Sequence, residues 1–317
     1  MIGYVFKRVL SLIPILFVVS LVIFFIIHLT PGDPASYILG VEATEEQVES
    51  LKDQMGLNAP IYLQYLTWIG GVLQGDFGYS YIVNESVLNI IGNNIIPTMT
   101  LALLAQIVAI VLSIPLGILA AIKRGTFIDQ TVMIISLLGM AIPSFLLALI
   151  LVLIFAVTLG WLPVAGYQGI ENGIWNHLKF LVLPAISLGT IQAALIARMS
   201  RSSMLDVLNK DYIKMSKAKG MNRSRIILKH AFKNSLLPIL TVLGQSFGAL
   251  VTGAVVTETI FNIPGIGQLI VNSIERRDYT VIQGIVLYVT LIYVVINLVV
   301  DLLYGLIDPR VRLEKGN

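Results

Sequence analysis

Six stretches of the chain are almost wholly apolar, at about 9–30, 98–122, 131–159, 181–200, 236–257 and 283–307. Each meets the ~20 residues that a helix needs to cross a bilayer. Between the fourth and fifth lies a segment of opposite character. From Arg198 to Lys233 it holds Arg198, Arg201, Lys210, Lys214, Lys217, Lys219, Arg223, Arg225, Lys229 and Lys233 against only Asp206 and Asp211. Each charge at a bilayer centre costs about 2.5–3.5 kcal/mol, so this segment predicts a surface loop. The pattern as a whole predicts an all-α integral membrane protein of six transmembrane helices.

Six spans place both termini on one side. If the Arg198–Lys233 side is cytoplasmic, of the 21 Lys and Arg only Lys52, Lys179, Arg276 and Arg277 fall outside. The positive-inside rule then puts both termini in the cytoplasm. The chain reads as a cytoplasmic N-terminus and first span (1–30), an external loop (31–97) and a five-span core (98–317). The cytoplasmic loop of that core runs over about 201–234. Pro14, Pro115 and Pro143 would kink their helices, whereas Pro97, Pro184 and Pro238 are placed near helix starts, where a missing N–H costs least. In the external loop, Thr44 and Gln47 have capping-box spacing, and Tyr62–Phe77 has the aromatic and glycine content of an interfacial segment.

Composition supports this reading. Only 12% of the 317 residues are charged and 56% are hydrophobic, against roughly 25% charged in soluble domains. The first apolar run is too long for a signal-peptide core of about 7–15 residues. There is no cysteine, so disulfides and thiolate metal sites are excluded. His28, His177 and His230 are scattered. No metal site, catalytic site or bound cofactor is expected, and no nucleic-acid partner.

Within the basic loop, Tyr212, Met215 and Ala218 recur at helical spacing. Gly220 suits a left-handed C-terminal cap, and Asn222 can start a new helix carrying Ile226, Ile227 and Ala231. A short exposed helix between two spans suits docking into a groove on a cytosolic partner. The alternative is a loop that sets topology and touches anionic lipid.

Several strings tip that choice. Asp211-Tyr212-Ile213, Ala218-Lys219-Gly220, Lys229-His230-Ala231 and Asn234-Ser235-Leu236-Leu237-Pro238 resemble the cytoplasmic signature of ABC-importer permeases, in particular the dipeptide/oligopeptide/nickel branch. His28-Leu29-Thr30-Pro31-Gly32-Asp33-Pro34-Ala35, Gly75-Asp76-Phe77-Gly78-Tyr79-Ser80, Glu258-Thr259-Ile260-Phe261, Pro264-Gly265-Ile266-Gly267 and Asp308-Pro309-Arg310 are similar to other parts of that branch, in the same order. The general signature has Glu-Ala-Ala where this chain has Lys214-Met215-Ser216; the peptide/nickel branch also lacks that acid.

The resemblance implies a type I importer permease. Its partners would be a second, similar permease, two ABC ATPase subunits and an extracytoplasmic binding protein, in a bacterial or archaeal cytoplasmic membrane. Asp211, Tyr212, Lys214, Met215, Lys217, Ala218, Lys219, Gly220, Asn222, Arg223 and Arg225 would form the ATPase-coupling surface. The chain has no phosphate-binding Gly-x-x-x-x-Gly-Lys-Ser/Thr loop, so ATP and Mg would be held by the partners. The implied cargo is a di- or oligopeptide, with nickel or a metal chelate as the alternative. The rival class is an autonomous channel or secondary transporter.

Polar residues within apolar runs are expensive and often functional. Gln106, Gln192, Gln245, Asn297 and Asp301 are such residues. Gln192 and Gln245 are candidates for the pathway, against interhelical hydrogen bonding; Asp301 suggests a local pair with Arg310. Pro143-Ser144 could expose carbonyls to a pathway or only kink a helix. Glu258 is placed just outside the fifth span; the resemblance implies an external gate for the Glu258–Gly267 region, against an interfacial turn shaped by Pro264 and Gly265. Gly244-Gln245-Ser246-Phe247-Gly248 has the Gly-x-Ser-x-Gly form of a hydrolase elbow but sits in a span. Gly244 and Gly248 read better as a helix-packing surface. The external acids Glu42, Glu45, Glu46, Glu49 and Asp53 could attract a cationic partner or be simply solvated.

Overall fold

A computed structural model describes residues 10, 12–29, 34–40 and 42–307; the side chains of 27, 28 and 303–307 stand outside that description. Among the described residues the regular elements are helices except for one two-stranded hairpin. Its helices are α1 (Leu12–Leu29), α2 (Pro34–Leu39), α3 (Glu45–Gln54), α4 (Ile61–Leu73), α5 (Val87–Ile122), α6 (Phe127–Ala141), α7 (Ser144–Leu151), α8 (Ile174–Leu208), α9 (Asp211–Ala218), α10 (Arg223–Gly253), α11 (Val255–Phe261), α12 (Ile266–Glu275) and α13 (Tyr279–Ile307). β1 (Tyr79–Ser80) and β2 (Glu85–Ser86) pair antiparallel.

Among the described residues, α5, α8, α10 and Tyr279–Leu302 of α13 are long and apolar enough to cross a membrane. The span at 131–159, expected to kink at Pro143, is two pieces, α6 and Ser144–Thr158, bent by 99°. Pro143 is the physical reason. It cannot donate to the α6 ladder, and it begins a new helix by accepting from Leu146 and Leu147 N–H at 3.1 Å each. That second piece continues through a π-helical turn, Val152–Thr158. α1 has the 18 residues Leu12–Leu29.

Pro97, Pro184 and Pro238 do not lie near helix starts. They fall inside α5, α8 and α10, because these helices begin at Val87, Ile174 and Arg223, well before their apolar windows. Helix geometry continues past the apolar stretch wherever capping or packing satisfies the backbone, so hydropathy alone marks where a helix is apolar, not where it ends.

The described residues form two compact units, one drawn from 97–263 and 295–307 and the other from 10–96 and 264–294. In the first, α8 is central and packs on α10, α6 and α7. Ala109, Ala193, Ile196, Ile239 and Val242 form one buried cluster. α5 and α8 approach at two glycines. A Cβ on Gly189 would meet the Ala105 carbonyl at 2.6 Å, and one on Gly117 would meet Ala197 O at 2.7 Å and Ser200 Cβ at 2.6 Å. Residue numbers rise together along both helices at these contacts, so α5 and α8 run parallel. α6 and α7 therefore carry the chain back between them.

In the second unit, Val87, Ile90 and Ile91 pack on Ile266, Val281 and Ile285. Phe24 stacks on Trp68 and meets Tyr65 edge-on, joining α1 to α4. α3 opens with the expected capping box: Thr44 Oγ1 accepts from Gln47 N–H at 3.3 Å and Gln47 Oε1 from Thr44 N–H at 3.0 Å. Ser80, fully buried at the hairpin, donates from its hydroxyl to Asp278 just before α13.

Candidate functional site

The basic segment folds as its spacing predicts. Asp211 opens α9, where a negative charge suits the helix dipole; its pair with Lys214 at 2.9 Å is solvent-exposed and contributes little. One side of α9 is anchored by Ile213, fully buried with Ala121, Met204, Ile226 and Ala231. The other side presents apolar atoms to solvent: Tyr212 is 43% and Met215 60% exposed.

α9 ends in a Schellman cap. Gly220 N–H donates to Lys217 O at 3.0 Å and Met221 N–H to Ser216 O at 3.3 Å, with Gly220 at φ +73°. Met221 then packs into the Ile213 cluster. Asn222 caps the next helix, its Oδ1 accepting from Ser224 N–H at 3.0 Å. Arg223 and Arg225 follow on its exposed first turn, and Ile226–Phe232 is π-helical. The result is a short helix fixed at both ends to the bundle, with an uncovered apolar face.

A second fixed point lies at the α6 start. The Arg201 guanidinium donates to the Asp129 carboxylate twice, Nε to Oδ1 at 2.5 Å and Nη2 to Oδ2 at 2.7 Å. Gly125 N–H adds a third donor at 3.0 Å. This clamp ties the end of α8 to the turn between α5 and α6.

Residues 113–313 match the family model of the binding-protein-dependent transport system inner membrane component, and residues 1–102 match its N-terminal companion model. The chain belongs to this family. It is a multi-pass inner-membrane permease subunit of an ABC importer and not an enzyme; the ATPase is a separate subunit. A Sinorhizobium fredii protein named "Probable peptide ABC transporter permease protein" is 41% identical over 309 residues, 98% of this chain and 99% of that one. The glutathione transport system permease of Escherichia coli K12 is 40% identical over 312 residues, with the same coverages. An inward-facing methionine ABC transporter structure superposes with a TM-score of 0.57 at 18% identity, covering 70% of this chain and 97% of its own. That likeness supports the type I permease fold.

The pathway candidates of this permease separate in the structure. Glu258 is not in a surface turn: it lies on α11, fully buried, and its Oε1 accepts from Thr98 Oγ1 on α5 at 2.6 Å. Gln192 is half-buried on α8 and Gln245 exposed on α10. The interhelical hydrogen bond belongs to Gln106, whose Oε1 accepts from Ser246 Oγ at 3.0 Å. The single Ser246 hydroxyl proton is shared between Gln106 Oε1 and Leu243 O, 2.8 Å away, so the Gly-x-Ser-x-Gly serine serves helix packing. Pro143 and Ser144 sit at the 99° bend. Gly244 is in tight contact with Val300 of α13, and Gly248 is buried on the same helix. Arg310, the expected partner of Asp301, lies outside the described residues.

The sequence reading missed the Arg201–Asp129 clamp, because it counted Arg201 only as loop charge. A lone acid in the first turn of an apolar helix, four residues after Gly125, was the available signal. Gly117 and Gly189 were also missed, although Ser113, Gly117 and Ala121, and Ala185, Gly189 and Ala193, each form a small-xxx-small run that was the available signal.

Proposed function

We propose that this permease forms one half of a transmembrane pathway for short peptides, beside a second permease of the same kind. Two ATPase subunits, which hold ATP and Mg, dock under it, and an extracytoplasmic binding protein delivers cargo. The observation that carries the coupling role is the α9 segment. Ile213 and the Schellman cap hold it rigidly to the bundle, while Tyr212 and Met215 face outward without a cover. A rigid handle with an apolar outer face transmits a push; a loop that only set topology would need neither feature. The basic end bearing α9 is then cytoplasmic, as the distribution of Lys and Arg requires.

Peptide cargo is supported by the two relatives named for peptide and for glutathione transport, the latter itself a tripeptide. Their near-equal identity does not favour one over the other, so the proposal is the class that includes both. ATPase closure moves α9 and, through the Ile213 cluster, the ends of α5, α8 and α10.

The test is reconstitution of this permease with its partner permease, ATPases and binding protein in liposomes. Uptake of labelled di- and tripeptides should require both ATP and the binding protein. Uptake that continues without ATP would overturn the importer reading. ATP-driven uptake of another cargo but of no peptide would overturn the substrate class alone.

A further inference from the structure

We infer that the basic end of this permease carries a binding site for the headgroup of an anionic phospholipid, set between the ends of α5 and α8 and the inner side of α9. A cavity of about 460 Å³ lies there. Its polar wall holds Arg124, Lys217 and Arg223, and no carboxylate lines it. None of the three cations has an ion-pair or hydrogen-bonded side-chain partner among the described residues. Its apolar wall includes Ile122, Leu208 and Ile227.

Two further observations point to a lipid. The first is depth. Ile122 is both the last residue of α5 and the end of its apolar run, whereas Leu208 stands about two turns beyond the apolar run of α8. The cavity therefore lies where apolar spans give way to basic loop, at the level of phosphates and glycerol backbones. Next to Arg124 in the chain, Phe127 is 81% and Ile128 41% exposed, apolar surface that suits this interface. Basic pockets between span ends on the cytoplasmic side are suited to phospholipid headgroups.

The second is direction. At 100° per residue, Lys217 projects roughly 170° from the bisector of Tyr212 and Met215. It shares its side of α9 with buried Ile213 rather than with the face open to a protein partner. The cavity is thus behind the docking face, between α9 and the spans. A phosphodiester there would accept hydrogen bonds from Arg124, Lys217 and Arg223 and offset one of their three positive charges, while its glycerol and first methylenes met Ile122. Bound lipid would brace α9 against α5 and α8. The inference rests on the membrane placement of this family, not on which cargo is carried.

The test uses the whole complex, purified in mild detergent and washed free of loose lipid. It is then exchanged into nanodiscs of phosphatidylcholine with or without phosphatidylglycerol, and retained lipid is counted by native mass spectrometry. Wild type, Lys123→Gln and Arg124→Lys should retain phosphatidylglycerol through the wash. Arg124→Gln should retain about fivefold less, the value of one basic group at an anionic surface. Lys123 neighbours Arg124 but does not line the cavity, so equal loss in both Gln variants would mean only general surface attraction and would overturn the site. Displacement of the lipid by millimolar inorganic phosphate would assign the cavity to a soluble anion. Lipid retained only after the ATPases are stripped away would assign it to an ATPase side chain. Either result overturns the proposal. Absence of peptide uptake by the wild-type complex in phosphatidylglycerol-containing liposomes would instead count against the cargo reading, leaving the lipid count untouched.

Discussion

Arg201 and Asp129 are joined at two points across 72 residues of sequence, and the carboxylate is buried. Removing one partner of a buried pair leaves the other charge unpaired, at a cost of about 3–5 kcal/mol. Arg201 keeps a quarter of its side chain exposed, so the lower end of that range applies. Arg201→Lys should not rescue, since an ammonium cannot supply both parallel donors. Thermal unfolding of the detergent-solubilised complex should show Arg201→Lys and Asp129→Asn both melting several degrees lower. The Asp129→Arg/Arg201→Asp exchange should recover part of the loss. Wild-type melting of Arg201→Lys would show that the bidentate geometry contributes nothing.

Helix contact in the first unit depends on absent Cβ atoms. At Gly117 and Gly189 an added methyl runs into backbone carbonyls of the facing helix, which cannot rotate away. At Gly244 it runs into the Val300 side chain, which has some freedom to move. Overpacking costs typically about 1–3 kcal/mol. Gly117→Ala and Gly189→Ala should therefore lower the yield of assembled complex on size-exclusion chromatography more than Gly244→Ala. The reverse order would mean that α5 and α8 are not packed at these glycines.

At these glycines the sequence marks a packing face, through the small residues four positions to either side of Gly117 and Gly189, but not which helix meets it. Apolar length located the regions of α5, α8, α10 and α13, and turn chemistry located Gly220, Asn222 and the Thr44–Gln47 box, because each is a local property. The bend at Pro143 was half legible: the proline announced a break but not its angle. Thr98–Glu258, Gln106–Ser246 and Arg201–Asp129 join residues 160, 140 and 72 positions apart. No local pattern encodes such a pairing. The intramembrane glutamines illustrate the point, since Gln106 and Gln245 look alike in sequence and only packing decides that one is buried and bonded while the other is exposed.

Asp278 supplies a pH dependence outside the spans. Burial pushes its carboxyl above the usual range, partly offset by the Ser80 hydroxyl, Val281 N–H and the nearby Arg276 charge. A carboxyl whose folded pKa is raised contributes its full stability below the unfolded value and loses it as pH rises through the folded value. Asp278→Asn keeps an acceptor for Ser80 without the charge. It should flatten the fall in melting temperature on going from acidic to neutral pH, and should melt higher than wild type at neutral pH. A variant that falls with the wild-type slope would show that Asp278 is not the group responsible.

Coupling can be separated from insertion at the α9 cap. Gly220 sits at φ +73°, and proline is fixed near −65°, so Gly220→Pro must dismantle the Schellman cap and release Met221 from the Ile213 cluster. At 100° per residue, Lys219 falls within about 10° of the Tyr212–Met215 bisector, whereas Lys217 lies behind α9. Gly220→Pro and Lys219→Glu should therefore leave membrane insertion intact yet let ATP hydrolysis proceed with little peptide uptake. Lys217→Glu should disturb that ratio less. Comparing the ATP-to-peptide stoichiometry of the three variants in liposomes decides the matter. If Lys217→Glu uncouples as strongly as Lys219→Glu, the outward face of α9 is not what the ATPase holds.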